Sequence, residues 1–549
     1  ASAWKEIGVG CESCHGPSRA HVEWQRANRG RSGDPHMVRL NWDGYFQTCL
    51  ACHSRRADLT GAFIPGQYFT DHFRLILPDL TDTFWPDGQV RDEDFEGAPY
   101  SLSYMHDAGI RCIDCHSAHS GQVLARDNSL CTRCHEQGIG SKMPIGPATH
   151  TFHEAGTPGS FCVDCHMPQT TYMQRHARRD HGMTIPDPLL TKEHGIPNAC
   201  NRCHTDRDVN WAIGHLDHWR GSRMERPTRT RTRLLARVKA SDFTAVPDLL
   251  KVLEAEKNPA WRGVIANFLA AAVQAPLDPA LHKEIVTALM RQLDDPSPIA
   301  QTAAIEALQA ELDHAPDASG LRDRLRKLLD SPSRVVRVTA AWALRRELVP
   351  GSRAHQDLLA WIELDTDQPL GAIRYAQYLT DIGRVETALP WFEKAVRWDP
   401  NTAAFRHAYA TALDIAGRPD DAIQQAARAL ELEPDEPTHA YALGLLYAEV
   451  GRYAEARDAL RAAATRRPNA ARYWFNLALA EDRAGNPAGA LDAIAQAERL
   501  EPANPELPYT RAIIEYKVGN ATAARQAVEQ ALRINPEHTG ARALLDQLR

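Results

Sequence analysis

The chain has 549 residues with 63 Lys and Arg against 70 Asp and Glu, a formal charge of −7. That length exceeds what a single hydrophobic core organises, the charge is too mild and too dispersed for a nucleic-acid-binding protein, and no apolar run is long enough to span a bilayer. Cysteine and histidine are concentrated at one end: all twelve Cys and eighteen of 24 His lie before residue 220.

The chain opens Ala1-Ser2-Ala3-Trp4, with no basic start or apolar stretch of a secretory leader. Cys11-Glu-Ser-Cys14-His15 follows, and the same spacing returns at Cys49/Cys52/His53, Cys112/Cys115/His116, Cys131/Cys134/His135, Cys162/Cys165/His166 and Cys200/Cys203/His204. No cysteine lies outside these six motifs. Cys-x-x-Cys-His is the attachment signal for c-type haem, with the two thiols bonded to the porphyrin edge and the adjacent His bound to the iron. Zinc or thiol–disulfide chemistry also uses Cys-x-x-Cys, and twelve cysteines could pair as disulfides. None of these requires His as the next residue six times out of six. The reading is therefore six covalently bound haem c groups in residues 1–222. Haem c attachment implies export to a periplasmic or extracellular location, and hence a removed leader or further sequence upstream.

Gly, Pro and Asp punctuate this segment, as in Phe63-Ile-Pro-Gly66 and Phe84-Trp-Pro-Asp-Gly88. Loops with short motif-bearing helices are predicted, the haems supplying much of the apolar core. Each iron takes a second axial ligand. Twelve further His are available against six Met (Met37, Met105, Met143, Met167, Met173, Met183), so mostly bis-histidine, low-potential irons are expected. His21 and His119 lie too close to their own motifs to reach back to the same iron, which predicts ligation of neighbouring haems.

The runs around Cys11–His21, Thr48–Arg56, Gly109–His119, Cys162–Pro168, Arg178–His181 and Pro197–His204 resemble multihaem c-type cytochromes carrying tetratricopeptide repeats. These are distantly similar to the multihaem cytochromes of nitrite reduction and hydroxylamine oxidation. The resemblance implies distal iron ligation by His21, His72, His119, His153 and His181. His106 joins them on its Tyr-Met-His context before Cys112, and His150 competes with His153. His36, His176, His194, His215 and His218 match no family feature. Family members begin upstream with further haem motifs, so the resemblance implies a missing amino-terminal haem segment or a second chain. Nitrite-reducing relatives carry Lys in place of the motif His at the catalytic haem; no Cys-x-x-Cys-Lys occurs here.

Residues 223–360 turn helical. Pro259, Pro296 and Pro332 recur at intervals of 37 and 36, each followed by an apolar-periodic run. This resembles HEAT-like repeats. In residues 361–549 the period becomes strict: Gly383, Gly417, Gly451, Gly485 and Gly519 are 34 apart, as are Pro400, Pro434, Pro468, Pro502 and Pro536. That is the tetratricopeptide period, in five units. The fold class expected is mainly α: a loop-rich multihaem cytochrome domain followed by a HEAT-like and TPR α-solenoid. The expected function is electron transfer along six haems to a redox partner protein, with the TPR groove for docking or self-association. No catalytic residue is assigned. The alternatives are an oxidoreductase on a small nitrogen or sulfur species at an open haem, and a subunit of a cytochrome filament.

Overall fold

The computed structural model describes all residues except 1–8, 38, 39, 41, 93, 137–144, 173, 174, 276, 315–318 and 549. Met143 and Met173, two of the thioether alternatives, lie outside the described residues. The chain forms two compact units, Ala1–Trp361 and Ile362–Arg549.

In the first unit, short helices carry or border the motifs: Glu12–His15, Trp42–His53, Cys112–Cys115, Ser129–His135, Cys162–His166 and Ala199–Cys203. One helical turn brings Cys i and i+3 and His i+4 to the same side, which is what the motif spacing demands. Further helices, among them Arg19–Ala27, Pro188–His194 and Val209–Arg220, and two antiparallel strand pairs lie in the same segment. Arg56–Asp58 pairs with Phe73–Leu75, Arg56 opposite Leu75. Gln169–Tyr172 pairs with His176–Arg179, Thr170 opposite Arg178. Gly88 adopts φ +90°, and a side chain there would press on Leu102 and Trp261; the Trp-Pro-Asp-Gly turn needs both its freedom and its small size.

The sequence divides at 222/223, but both segments belong to this one unit. The Pro259–Gln274 helix starts on Pro259, with the Asn258 side chain accepting from Trp261 N at 3.0 Å. Its Trp261 indole donates to Leu102 O at 2.9 Å, and Asn258 Nδ2 donates to Ser101 O at 2.9 Å. Arg334 binds Asp71 through its backbone N, 2.8 Å to Oδ1, and through Nη1, 2.9 Å to the carbonyl. Arg229 forms a two-pronged pair with the buried carboxylate of Asp187, at 2.8 and 2.9 Å. The next helices of this array begin at Pro298 and Arg334, two residues past Pro296 and Pro332. The apolar faces of Pro259–Gln274, Pro298–Ala307 and Arg334–Ala343 pack in that order around Val264, Leu269, Ala304 and Val336, all buried.

The second unit is a row of helix pairs: 369–381 with 385–398, 403–415 with 419–432, 437–449 with 453–466, 471–483 with 487–500, and 506–517 with 521–534, followed by Thr539–Gln547. The five periodic glycines all have φ between +70° and +82°, the left-handed turn that links the two helices of each pair. Ala422, Ala456, Ala490 and Ala524 are fully buried where those helices cross; anything larger would hold the backbones apart. No helix among the described residues is long and apolar enough to cross a membrane.

Candidate functional site

Four motif histidines face a second histidine ring. His15 faces His119 with ring centroids 6.4 Å apart. His116 faces His181 at 6.3 Å, His166 faces His150 at 6.0 Å, and His204 faces His153 at 6.2 Å. The interplanar angles run from 26° to 34°. The four centroid distances fall within 6.0 to 6.4 Å.

Backbone carbonyls orient several of these rings. His166 Nδ1 donates to Thr184 O at 2.8 Å, His181 Nδ1 to Arg179 O at 2.9 Å, and His153 Nδ1 to Thr151 O at 2.6 Å. A carbonyl only accepts, so each Nδ1 carries a proton and Nε2 is the nitrogen left to face outward. Burial holds His150, His166 and His181 below the ordinary imidazole range, His150 down to about 4. Arg220 and His166 add to the effect at His150. Such rings are neutral at neutral pH, the form that binds a metal.

His119 and His181 stand opposite motif histidines far from them in sequence. His153 does too, and so does His150, which the sequence treats as its competitor. The two occupy one segment yet face different motifs. The signal that identifies His150 is its i, i+3 spacing to His153 on a segment bounded by Pro147 and Gly156. Gly159 makes room here: a Cβ on it would lie 2.8 Å from the His153 ring.

His21, His72 and His106 are also anchored through Nδ1, the same nitrogen as in His153, His166 and His181. His21 Nδ1 lies 2.7 Å from Asp34 Oδ2, which also accepts from Gln25. His72 is buried, with Nδ1 2.6 Å from Thr60 Oγ1 and its ring beside Phe63 and Phe73. His106 Nδ1 lies 3.4 Å from Asp107, and its ring packs on Phe46 and Tyr100. Of the remaining motif histidines, His53 is 3.2 Å from Glu96, whose hydrogen bond raises its pKa. His135 lies within electrostatic range of His166.

The cysteines are free of disulfides and their motifs adjoin in chain order. Cys14 lies near Cys49 and Cys52. The Cys49 thiol hydrogen-bonds Cys112, and Cys115 lies near Cys134. The Cys131 thiol hydrogen-bonds Cys162, and Cys165 lies near Cys200 and Cys203. Among the described residues, no group of three or more His, Cys, Asp or Glu side chains is arranged to hold a bare metal ion.

Comparison with known proteins bears on the second unit. The tetratricopeptide repeat family model matches residues 441–505, and that of anaphase-promoting complex, cyclosome, subunit 3 matches residues 381–463. With the 34-residue period, these establish that the chain carries tetratricopeptide repeats. Among solved structures, the chain is similar to MamA at 20% identity, covering 30% of this chain and 95% of MamA, with a TM-score of 0.29. It is also similar to YrrB, a TPR protein with an unusual peptide-binding site, at 20% identity, covering 33% of this chain and 94% of YrrB, TM-score 0.31. PilF of Pseudomonas aeruginosa is similar at 23% identity, covering 34% of this chain and 84% of PilF, TM-score 0.29. No curated protein matches the chain.

Proposed function

We propose that residues 1–222 bind six haem c groups and that the protein carries electrons between partners outside the cytoplasm. The observation that carries this reading is the spacing of the facing histidines. A histidine nitrogen sits about 2 Å from a bound metal, and the ring centre roughly 1 Å behind it, so two rings on opposite sides of one metal have centroids roughly 6 Å apart. The four pairs measure 6.0 to 6.4 Å. Each includes the His of one Cys-x-x-Cys-His motif. Two protein ligands suffice where a porphyrin fills the other four positions, which fits an arrangement of pairs.

When bound, haem c supplies an iron that takes up and releases one electron. The chain's residues do the rest. The twelve cysteines would hold the groups covalently, carbonyl-anchored imidazoles would offer Nε2, and at the four paired sites a second histidine would close the iron to substrate. The contact order of the motifs favours transfer between successive sites. His119 lies three residues past His116 but faces His15, which ties the first and third motifs together as well. The tetratricopeptide repeats serve partner docking or assembly.

An oxidoreductase acting on a small nitrogen or sulfur species is the second reading. It is favoured by His53 and His135, the two motif histidines that face no second histidine ring among the described residues. Mass spectrometry of the exported protein and its low-temperature paramagnetic resonance spectrum test both. Six covalent haems, all low-spin, support the electron carrier. A high-spin iron that binds nitric oxide favours the enzyme, and a chain without covalent haem removes both readings.

A further inference from the structure

We infer that the Val209–Arg220 helix is a clamp that sets the orientation of both histidines at the sixth motif, with Trp211 and Trp219 as its positioning residues. The inference rests on the haem reading above and goes beyond it in assigning residues that bind no iron.

Trp211, His215 and Trp219 recur every four residues and share one face of this helix. The Trp211 ring lies 4.7 Å from His204, the motif histidine. The Trp219 ring lies 6.5 Å from His153, edge to face at 72°. His153 is the ring opposite His204. One helix therefore braces both members of a single pair, each through its own tryptophan.

The same helix holds the segment that carries His153. Phe152 stacks on Trp219 at 4.6 Å with planes only 7° apart. Its backbone has φ +55°, a left-handed conformation that a residue with a bulky side chain adopts only where its surroundings impose it. Arg220 completes the hold: Nη2 donates to His150 O at 2.5 Å, and the guanidinium stands 5.7 Å over the Phe152 ring. The strained turn at Phe152 is what sends His150 and His153, three residues apart, toward different motifs. Trp219 keeps that turn in place.

His215 lies between the tryptophans, 4.5 Å from Trp211 and 5.7 Å from Trp219, and is exposed. Its ring contacts are with the tryptophans and, among the described residues, not with His204 or His153. It is therefore the natural control.

The mutual orientation of two axial imidazoles sets the rhombicity of a low-spin ferric iron and contributes to its potential. The test uses the full-length haem-loaded protein with Trp211→Ala, Trp219→Ala, Trp219→Phe and His215→Ala. Covalent haem is counted by mass, and all variants are compared by paramagnetic resonance and redox titration. Expected is an unchanged haem count, with one low-spin signal and one potential shifted in each Trp→Ala variant. Trp219→Phe should restore most of the parent signal, and His215→Ala should leave it unmoved. Parent-like spectra and potentials in both Trp→Ala variants overturn the clamp, as does an equal shift in His215→Ala. If Trp219→Ala is not recovered folded, Trp211→Ala and Trp219→Phe decide: a parent-like signal for Trp211→Ala, or total loss of one low-spin signal in Trp219→Phe, overturns it. A parent protein without covalent haem at Cys200 and Cys203 defeats the haem reading itself, an outcome distinct from these.

Discussion

His119 faces His15 across 6.4 Å with planes 26° apart, although it follows His116 by three residues and His15 by more than a hundred. A residue anchored beside the third motif thus stands opposite the histidine of the first. Replacing His119 with Ala should leave all six covalent attachments intact, because the cysteines do not depend on it. One iron should turn high-spin. Mass spectrometry and paramagnetic resonance check the two halves separately; six low-spin irons in the variant would defeat this assignment.

His150 and His153 face His166 and His204 respectively. If each completes its own site, His150→Ala and His153→Ala should each convert one low-spin iron. The double variant should convert two, since effects at separate sites add. Had the two residues competed for one iron, the double variant would match a single one. Counting high-spin signals distinguishes these outcomes.

The pair at His150 and His153 also marks what sequence can and cannot reveal. The motif cysteines and histidines are legible because one residue set recurs at one fixed spacing six times. The 34-residue period of Gly383 to Gly519 is legible because every turn repeats one left-handed residue. The pairing of histidine rings is not, because it depends on how loops fold back: the Thr151, Arg179 and Thr184 carbonyls orient rings without leaving any mark in side-chain pattern. The union of the motif segment with the first helical array is equally hidden. It rests on contacts such as Trp261 with Leu102 and Arg334 with Asp71, whose partners lie more than 150 residues apart.

Gly159 lies where a methyl group would come within 2.8 Å of the His153 Cδ2 and Nε2 atoms, and its φ is +88°. Ala there is strained in its own backbone, by about 1–2 kcal/mol, and pushes the ring aside. Gly159→Ala should therefore perturb the iron at Cys200–His204 while all haems remain attached. The check is a shift in one low-spin signal, with the mass of six haems retained.

Arg337 is 1% exposed, with Nη2 2.7 Å and Nε 2.9 Å from Asp357 Oδ2, while Nη1 donates to the carbonyls of Ser331 and Pro332. Arg337→Ala leaves the Asp357 carboxylate with Arg334 Nε at 3.1 Å alone and removes a donor from two carbonyls at the end of the first array. Removing buried hydrogen-bond partners while the carboxylate keeps a second arginine costs about 1–3 kcal/mol. Denaturant unfolding of the first unit should move to lower urea by that amount. Arg337→Met, which restores volume without the partner's charge balance, should recover only part of it.

His407 and His439 meet with Nδ1 atoms 3.2 Å apart, close enough to share one proton and too close for two. Burial, then His439, holds His407 below its ordinary value of 6.5, against an opposing pull from Glu436. A histidine whose folded pKa is depressed favours the native state fully above the unfolded pKa, and that contribution is lost as pH falls through the folded value. The helices 403–415 and 437–449 should therefore lose hydrogen-exchange protection on going from about pH 7.5 to about pH 5. The equivalent positions 34, 68 and 102 residues on are Tyr441, Phe475 and Tyr509, so Phe is accommodated at this place in the repeat. His407→Phe should flatten the acid dependence while preserving protection at the higher pH. An acid loss of equal size in the variant would place the sensitivity elsewhere in the repeat array.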